Sequence, residues 1–177
     1  NVIKVSSSAS YKSVNSTVVA YLTKPTTIPV TIPTNYAIYV DGDVYSNSFN
    51  PGTVDGPVYV NGAFNLSSGS EINGKLISTG NINISNGSGT TYNIVGFGDV
   101  ELDGGGSVNG NALVKGNLTF GGGTRISGNV QCDGNLNMSQ GTINGTATTG
   151  GNAKFSGGAP KILTNLNYNG TLSYRSE

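Results

Sequence analysis

Gly98-Asp-Val100-Glu-Leu102 is followed by Gly116-Asn-Leu118-Thr-Phe120 and then by Gly134-Asn-Leu136-Asn-Met138, each piece eighteen residues after the last. Glycine, a polar residue, then apolar and polar side chains in alternation make one short pattern written three times. The step extends outward through Gly62 and Gly80 on one side and, one residue early, Gly151 on the other. A second comb runs beside it at Gly69, Gly87, Gly105, Gly123, Gly141 and Gly158, and a third at Gly56, Gly74, Gly110, Gly128 and Gly145. Self-similarity at a fixed step of this size marks a solenoid. Three comb positions about six residues apart predict a coil with three short sides.

Rows of eighteen starting at Gly62 expose the core. One column reads Phe64, Ile82, Val100, Leu118, Leu136 and Ala153; the next reads Leu66, Ile84, Leu102, Phe120, Met138 and Phe155. Two further columns hold Ile72, Val108, Ile126 and Ile143, and Leu76, Ile94, Ala112, Val130 and Ala147. All share one parity, and side chains alternate faces along a strand, so all are expected inside. The glycines of the first and third combs share that parity and are expected at inner corners, where a side chain would collide or unusual φ is needed. The other parity is polar, with Asn81, Asp99, Asn117, Asn135 and Asn152 in one outer row. The fold class expected is all-β: a single-stranded triangular β-solenoid of about 18 residues per coil, preceded by an N-terminal hairpin.

One outer column breaks the polar rule. Tyr59, Ile77, Val95 and Leu113 fall in register, with Phe97 two residues beyond Val95. A contiguous outward apolar patch marks a covered surface, so these residues are the interface candidates. Either the N-terminal hairpin or a neighbouring subunit would cover them.

Residues 1–36 do not follow the comb. Val2–Val5 and Thr17–Leu22 read as strands of a hairpin around a polar stretch, and Pro25, Pro29 and Pro33 read as an extended linker. The domain expectation is a hairpin with its proline linker over 1–36, packing on a solenoid over 37–177 that ends in a cap around Ile162, Leu166 and Tyr168. The step of twenty between Gly42 and Gly62 predicts an outward loop near Ser46–Pro51.

Composition excludes several function classes. Nine basic residues balance nine acidic ones, which points away from nucleic acid and anionic membranes as partners. No run of eighteen apolar residues is present to span a bilayer as a helix, and the first residues lack the order of a signal peptide, so any export segment is expected to have been removed. With no histidine, Ser-His or Cys-His nucleophiles and imidazole metal ligands are excluded. Cys132 falls on an inward position and is expected to be an inert buried thiol. Asp99, Glu101 and Asp103 alternate along one strand and form the one carboxylate group worth testing as a weak calcium site; the simpler reading is a solvated acidic strip. The remaining acids are scattered over several coils, which disfavours the paired carboxylates of a polysaccharide-cleaving enzyme. Threonines do not repeat at one position, which disfavours a flat ice-binding face. No catalytic residue and no cofactor are expected.

The alternating stretch Val54-Asp-Gly56-Pro-Val58-Tyr-Val60-Asn-Gly62-Ala-Phe64-Asn-Leu66 resembles two bacterial groups. One is the bactofilins, cytoskeletal polymers on a right-handed triangular β-helix. The other is the β-solenoid minor pilins of type IV pilus systems. The segment Ile3-Lys-Val-Ser-Ser-Ser-Ala-Ser-Tyr11-Lys-Ser-Val14-Asn-Ser-Thr-Val18 looks like the strand–turn–strand that follows the anchoring helix in minor pilins and pseudopilins. That resemblance implies a right-handed coil and an exported, non-enzymatic pilus subunit or adhesive tip component at the bacterial cell surface. Its implied partners are other pilus or filament subunits, with surface glycans as further candidates. The bactofilin resemblance implies instead a self-polymerising filament; polysaccharide binding and ice binding rank below both.

Overall fold

A computed structural model describes residues 2–11, 14–23, 35–45, 52–67, 69–90, 92–158 and 160–175. The chain divides into two compact units, residues 1–33 and 34–177. In the first, β1 (Val2–Tyr11) pairs antiparallel with β2 (Val14–Thr23) in unbroken register from Val2 opposite Thr23 to Tyr11 opposite Val14. The hairpin is therefore longer than the apolar runs suggested, because serine- and alanine-rich backbone pairs as readily once its partner strand is in place. The proline linker and the loop around Ser46–Pro51 lie outside the described residues.

The second unit is an all-β parallel solenoid of about seven turns and about 18 residues per turn, with three sheets and, among the described residues, no helix. One turn shows the plan. Glu71–Asn73 lies on face I, Leu76–Ser78 on face II and Ile82–Ile84 on face III, and the chain then climbs to face I again at Gly89–Thr90. Among the described residues the faces contain seven, eight and seven strands stacked in chain order. Register is one coil step throughout: Ile82, Val100, Leu118, Leu136, Ala153 and Leu172 stand over one another on face III. On face II, Leu76, Ile94, Ala112, Val130, Ala147 and Leu166 do the same.

Three-residue strands bury their first and third side chains and turn the second outward, which is the period-two reading made physical. Phe64, Leu66, Ile72, Leu76, Ile84, Leu102, Leu118, Phe120 and Leu136 are completely buried. Each such side chain contributes about 1.5–3 kcal/mol relative to exposure. Where a small polar residue interrupts an inner column, it bonds a corner carbonyl: Ser78 Oγ and Thr149 Oγ1 donate to the carbonyls of Gly62 and Gly134, each at 2.6 Å, and Thr90 Oγ1 donates to Gly74.

The three glycine combs serve two different purposes. At the corner between faces II and III, Gly80, Gly98, Gly116, Gly134 and Gly151 have ordinary φ, but an added Cβ would strike the backbone of the glycine one coil back. There the coils touch through glycine itself: Gly134 N–H donates to the Gly116 carbonyl at 3.0 Å, and Gly151 N–H to that of Gly134 at 2.9 Å. The corner between faces I and II repeats this at Gly110, Gly128 and Gly145, with Tyr92 taking the glycine's place in one turn. At the third corner the reason is conformational: Gly87, Gly105 and Gly123 have φ of 74°, 83° and 77°, and Asn86, Gly104 and Gly122 before them are also left-handed. The last tooth of that comb shifts by one, since Gly157 rather than Gly158 carries the positive φ.

Ile162, Leu166 and Tyr168, expected in a cap, lie in strands that continue the coil in parallel register with Ile143, Ala147 and Thr149. Tyr168, Leu172 and Tyr174 are 42%, 47% and 67% exposed there.

Candidate functional site

The outer surface is built from the same repeat. At two corners an Asn or Asp follows the corner residue, a glycine or in one turn Tyr92, and its side-chain oxygen reaches along the axis to the backbone N–H of the residue one coil on. Asn81 Oδ1 accepts from Asp99 N–H at 2.9 Å, Asp99 Oδ1 from Asn117 at 2.7 Å, Asn117 Oδ1 from Asn135 at 2.9 Å, and Asn135 Oδ1 from Asn152 at 2.8 Å. The other corner repeats the device, with Asn93 capping Asn111 and Asn111 capping Asn129. Each capped row stands as a rim beside the outward residues of the next face. Two troughs result.

On face II the trough has a volume of about 480 Å³, with Asn93, Asn111 and Asn129 on its rim and Val95, Leu113, Gln131 and Thr148 on its floor. The floor belongs to one continuous outward row. Tyr39, Tyr59, Ile77, Val95 and Leu113 are half-buried, then Gln131, Thr148 and Asn167 are exposed. The row opens with stacked aromatics: the Tyr39 and Tyr59 rings lie 5.2 Å apart and 5° from parallel, and Tyr36 tilts against Tyr59 at 5.5 Å. Sequence reasoning found the middle of this stripe and missed Tyr36 and Tyr39, because the twenty-residue step before Gly62 put them out of phase. The alternation Ile38-Tyr39-Val40 was the available signal. Phe97, 55% exposed, stands outside the stripe, at the corner leading to face III.

On face III the trough has a volume of about 520 Å³ and a polar lining: Asn65, Asn83, Glu101, Thr119 and Asn137 on the floor, Asn81, Asp99, Asn117 and Asn135 on the rim. No lysine or arginine lines this stretch, and Lys154 continues the floor row one coil beyond Asn137. The structure places Asp99 on that rim, Glu101 on the floor and Asp103 at the following corner, all exposed. Alternate strand residues are about 6.6 Å apart along the chain, so the three carboxylates are strung out rather than converged. Among the described residues no group of three or more histidine, cysteine, aspartate or glutamate side chains comes together. Asp99 Oδ1 is further engaged by Asn117 Nδ2 at 3.1 Å.

Two other ionisable features complete the surface. Asp43 accepts the Ala63 N–H at 2.7 Å and the Tyr45 hydroxyl at 2.8 Å; these bonds, the backbone one foremost, hold its carboxyl below the usual aspartate range, while the hydrogen bond to Asp43 and then its negative charge push the Tyr45 phenol up. Lys115 and Asp133 pair across one coil step at 2.9 Å, both half-exposed, a contact worth about 0–1 kcal/mol. Cys132 is buried in an inner column, and burial pushes its thiol up, away from the thiolate that a nucleophile requires.

No protein-family model, curated protein or solved structure matches the chain. The parallel β-solenoid thus presents one outer trough that is partly apolar and another that is predominantly polar.

Proposed function

We propose that the chain is a non-enzymatic structural subunit of an extracellular, pilus-like assembly at a bacterial surface, a minor pilin or tip component. In this reading a rigid rod presents one outer face to neighbouring subunits. The observation that carries it is the stripe Tyr39, Tyr59, Ile77, Val95 and Leu113, five apolar residues in register on an outer face and each half-buried. An ordered apolar row of this kind on the outside of a repeat is a docking surface rather than a folding requirement, since the core columns are closed without it. Rigidity follows from the inter-coil backbone bonds at every corner. The resemblance of residues 3–18 to the segment after a pilin anchor supplies the kind of assembly.

The test is the double variant I77K/L113K. It is expected to melt like the parent but to disappear from the sheared-filament fraction of cells that display the wild type there. Loss of folding would assign the stripe to the chain's own stability, and unchanged incorporation would remove it as the contact.

A second reading has its own observation. The last-turn strands Lys161–Ile162, Leu166–Tyr168 and Leu172–Arg175 pair on one side only among the described residues, with Leu172 and Tyr174 exposed. Unpaired edges over an open apolar column favour end-to-end stacking of copies into a filament. Sedimentation across a concentration series separates the two: rods that lengthen with concentration support stacking, and a persistent monomer removes it.

A further inference from the structure

The polar trough on face III has no place in either reading. Its rim is spent on the fold, because the side-chain oxygens of Asn81, Asp99, Asn117 and Asn135 are each taken by the next coil's N–H. Its floor is not. Asn65, Thr119 and Asn137 make no side-chain hydrogen bond within the described residues, and Asn83 meets Glu101 only at a long 3.4 Å. A row of uncommitted amide, hydroxyl and carboxylate groups therefore faces outward, repeating once per coil at about 4.8 Å.

We infer that this trough binds a linear neutral polysaccharide lying along the rod axis over Asn65, Asn83, Glu101, Thr119 and Asn137. The donor and acceptor inventory selects the class. An asparagine amide offers both donor and acceptor, a threonine hydroxyl does the same, and a carboxylate accepts from two neighbouring hydroxyls at once. Pairs of sugar hydroxyls, each donor and acceptor, are the matching partner. Charge selects within the class: Asp99 and Glu101 make the middle of the trough acidic and repel nucleic acid and acidic glycans, and the one lysine of the row, Lys154, stands at its end, one coil beyond Asn137. The repeat selects a polymer, since a ligand with its own axial period engages successive coils in the same way. Water on the floor is displaced by groups that reproduce its hydrogen bonds, which keeps the exchange favourable without an apolar platform. This site stands whether or not the face II stripe assembles subunits.

The experiment is an NMR titration of the full chain with cellohexaose, chitohexaose and maltohexaose, followed by the double variant N83A/N137A. At least one of these sugars is expected to shift the side-chain amide resonances of Asn83 and Asn137, saturating in the millimolar range. The double variant is expected to weaken that binding by about tenfold through its lost hydrogen bonds. Q131A, on face II, is expected to leave it unchanged. Thermal melting monitors folding, and should the double variant misfold, T119V takes its place. Silence with all three sugars, shifts confined to face II, or equal affinity in the floor variant would each overturn the inference. Shifts produced by calcium chloride but by no sugar would overturn it too, assigning Asp99 and Glu101 to a cation.

Discussion

Asp99 caps Asn117. Its Oδ1 accepts the Asn117 backbone N–H at 2.7 Å and the side-chain amide at 3.1 Å, and it fills the space that a side chain on Gly116 would need. The polar residue of one coil and the glycine of the next are thus a single unit: the cap reaches across only because nothing projects from the glycine. Asparagine fills the same position one coil above and one below, at Asn117 and Asn81.

Asp99→Asn should therefore be nearly neutral, while Asp99→Ala should cost about 0.5–1.5 kcal/mol for the lost bond. Urea denaturation of both variants checks this. Equal loss in both would show that the charge, and not the cap, matters.

The two glycine roles predict opposite responses to asparagine. At Gly116, φ is ordinary but space is absent, so Gly116→Ala should cost about 1–3 kcal/mol and Gly116→Asn at least as much. At Gly123, φ is +77° and nothing lies within 4 Å of an added Cβ, so Gly123→Ala should cost about 1–2 kcal/mol and Gly123→Asn clearly less. Asn86, at φ 54°, already occupies such a left-handed site. Denaturation midpoints of the four variants would expose any failure of the crossing.

Phe120 is completely buried in a column that continues through Met138 and Phe155. Truncation to alanine should destabilise the rod by about 3–5 kcal/mol, because neighbouring coils are tied at their corners and cannot collapse into the space. Calorimetry reads the effect directly.

Cys132 should resist iodoacetamide in the native rod and react once urea unfolds it. Its thiol is raised by burial, so the native state holds the proton more tightly than the unfolded chain. The associated stability is whole below the unfolded thiol value of about 8.5 and falls as pH rises above it. C132A should remove that alkaline decline, which a pH series of thermal melts would show.

Asp43 carries the opposite sign. Its carboxyl is held low by the Ala63 N–H and the Tyr45 hydroxyl, so its contribution is present above the ordinary aspartate range and is lost as pH falls through the lowered native value. The melting difference between wild type and D43A should therefore shrink on acidification. A constant difference across that window would refute the bond's role.

Legibility followed the repeat. Phe64, Ile82, Val100 and Leu118 could be placed over one another from spacing alone, since a solenoid makes neighbours in space out of residues one period apart. The candidate surfaces were only partly readable. Ile77, Val95 and Leu113 were found because they keep the period; Tyr36 and Tyr39 were not, because the step of twenty residues before Gly62 shifts their phase. Asp99, Glu101 and Asp103 share one parity in the sequence, but only Glu101 lies in the strand, while Asp99 turns toward the next coil and Asp103 stands at the following corner.

What the sequence by itself determined is the period, the inside and outside of each strand, and the absence of imidazole chemistry. All three follow from side-chain type repeated at fixed spacing. The tertiary structure alone decided why each glycine is present, which asparagines are consumed as caps and which remain free, and where two troughs open. Those properties arise between coils, from contacts across a gap that no linear pattern contains.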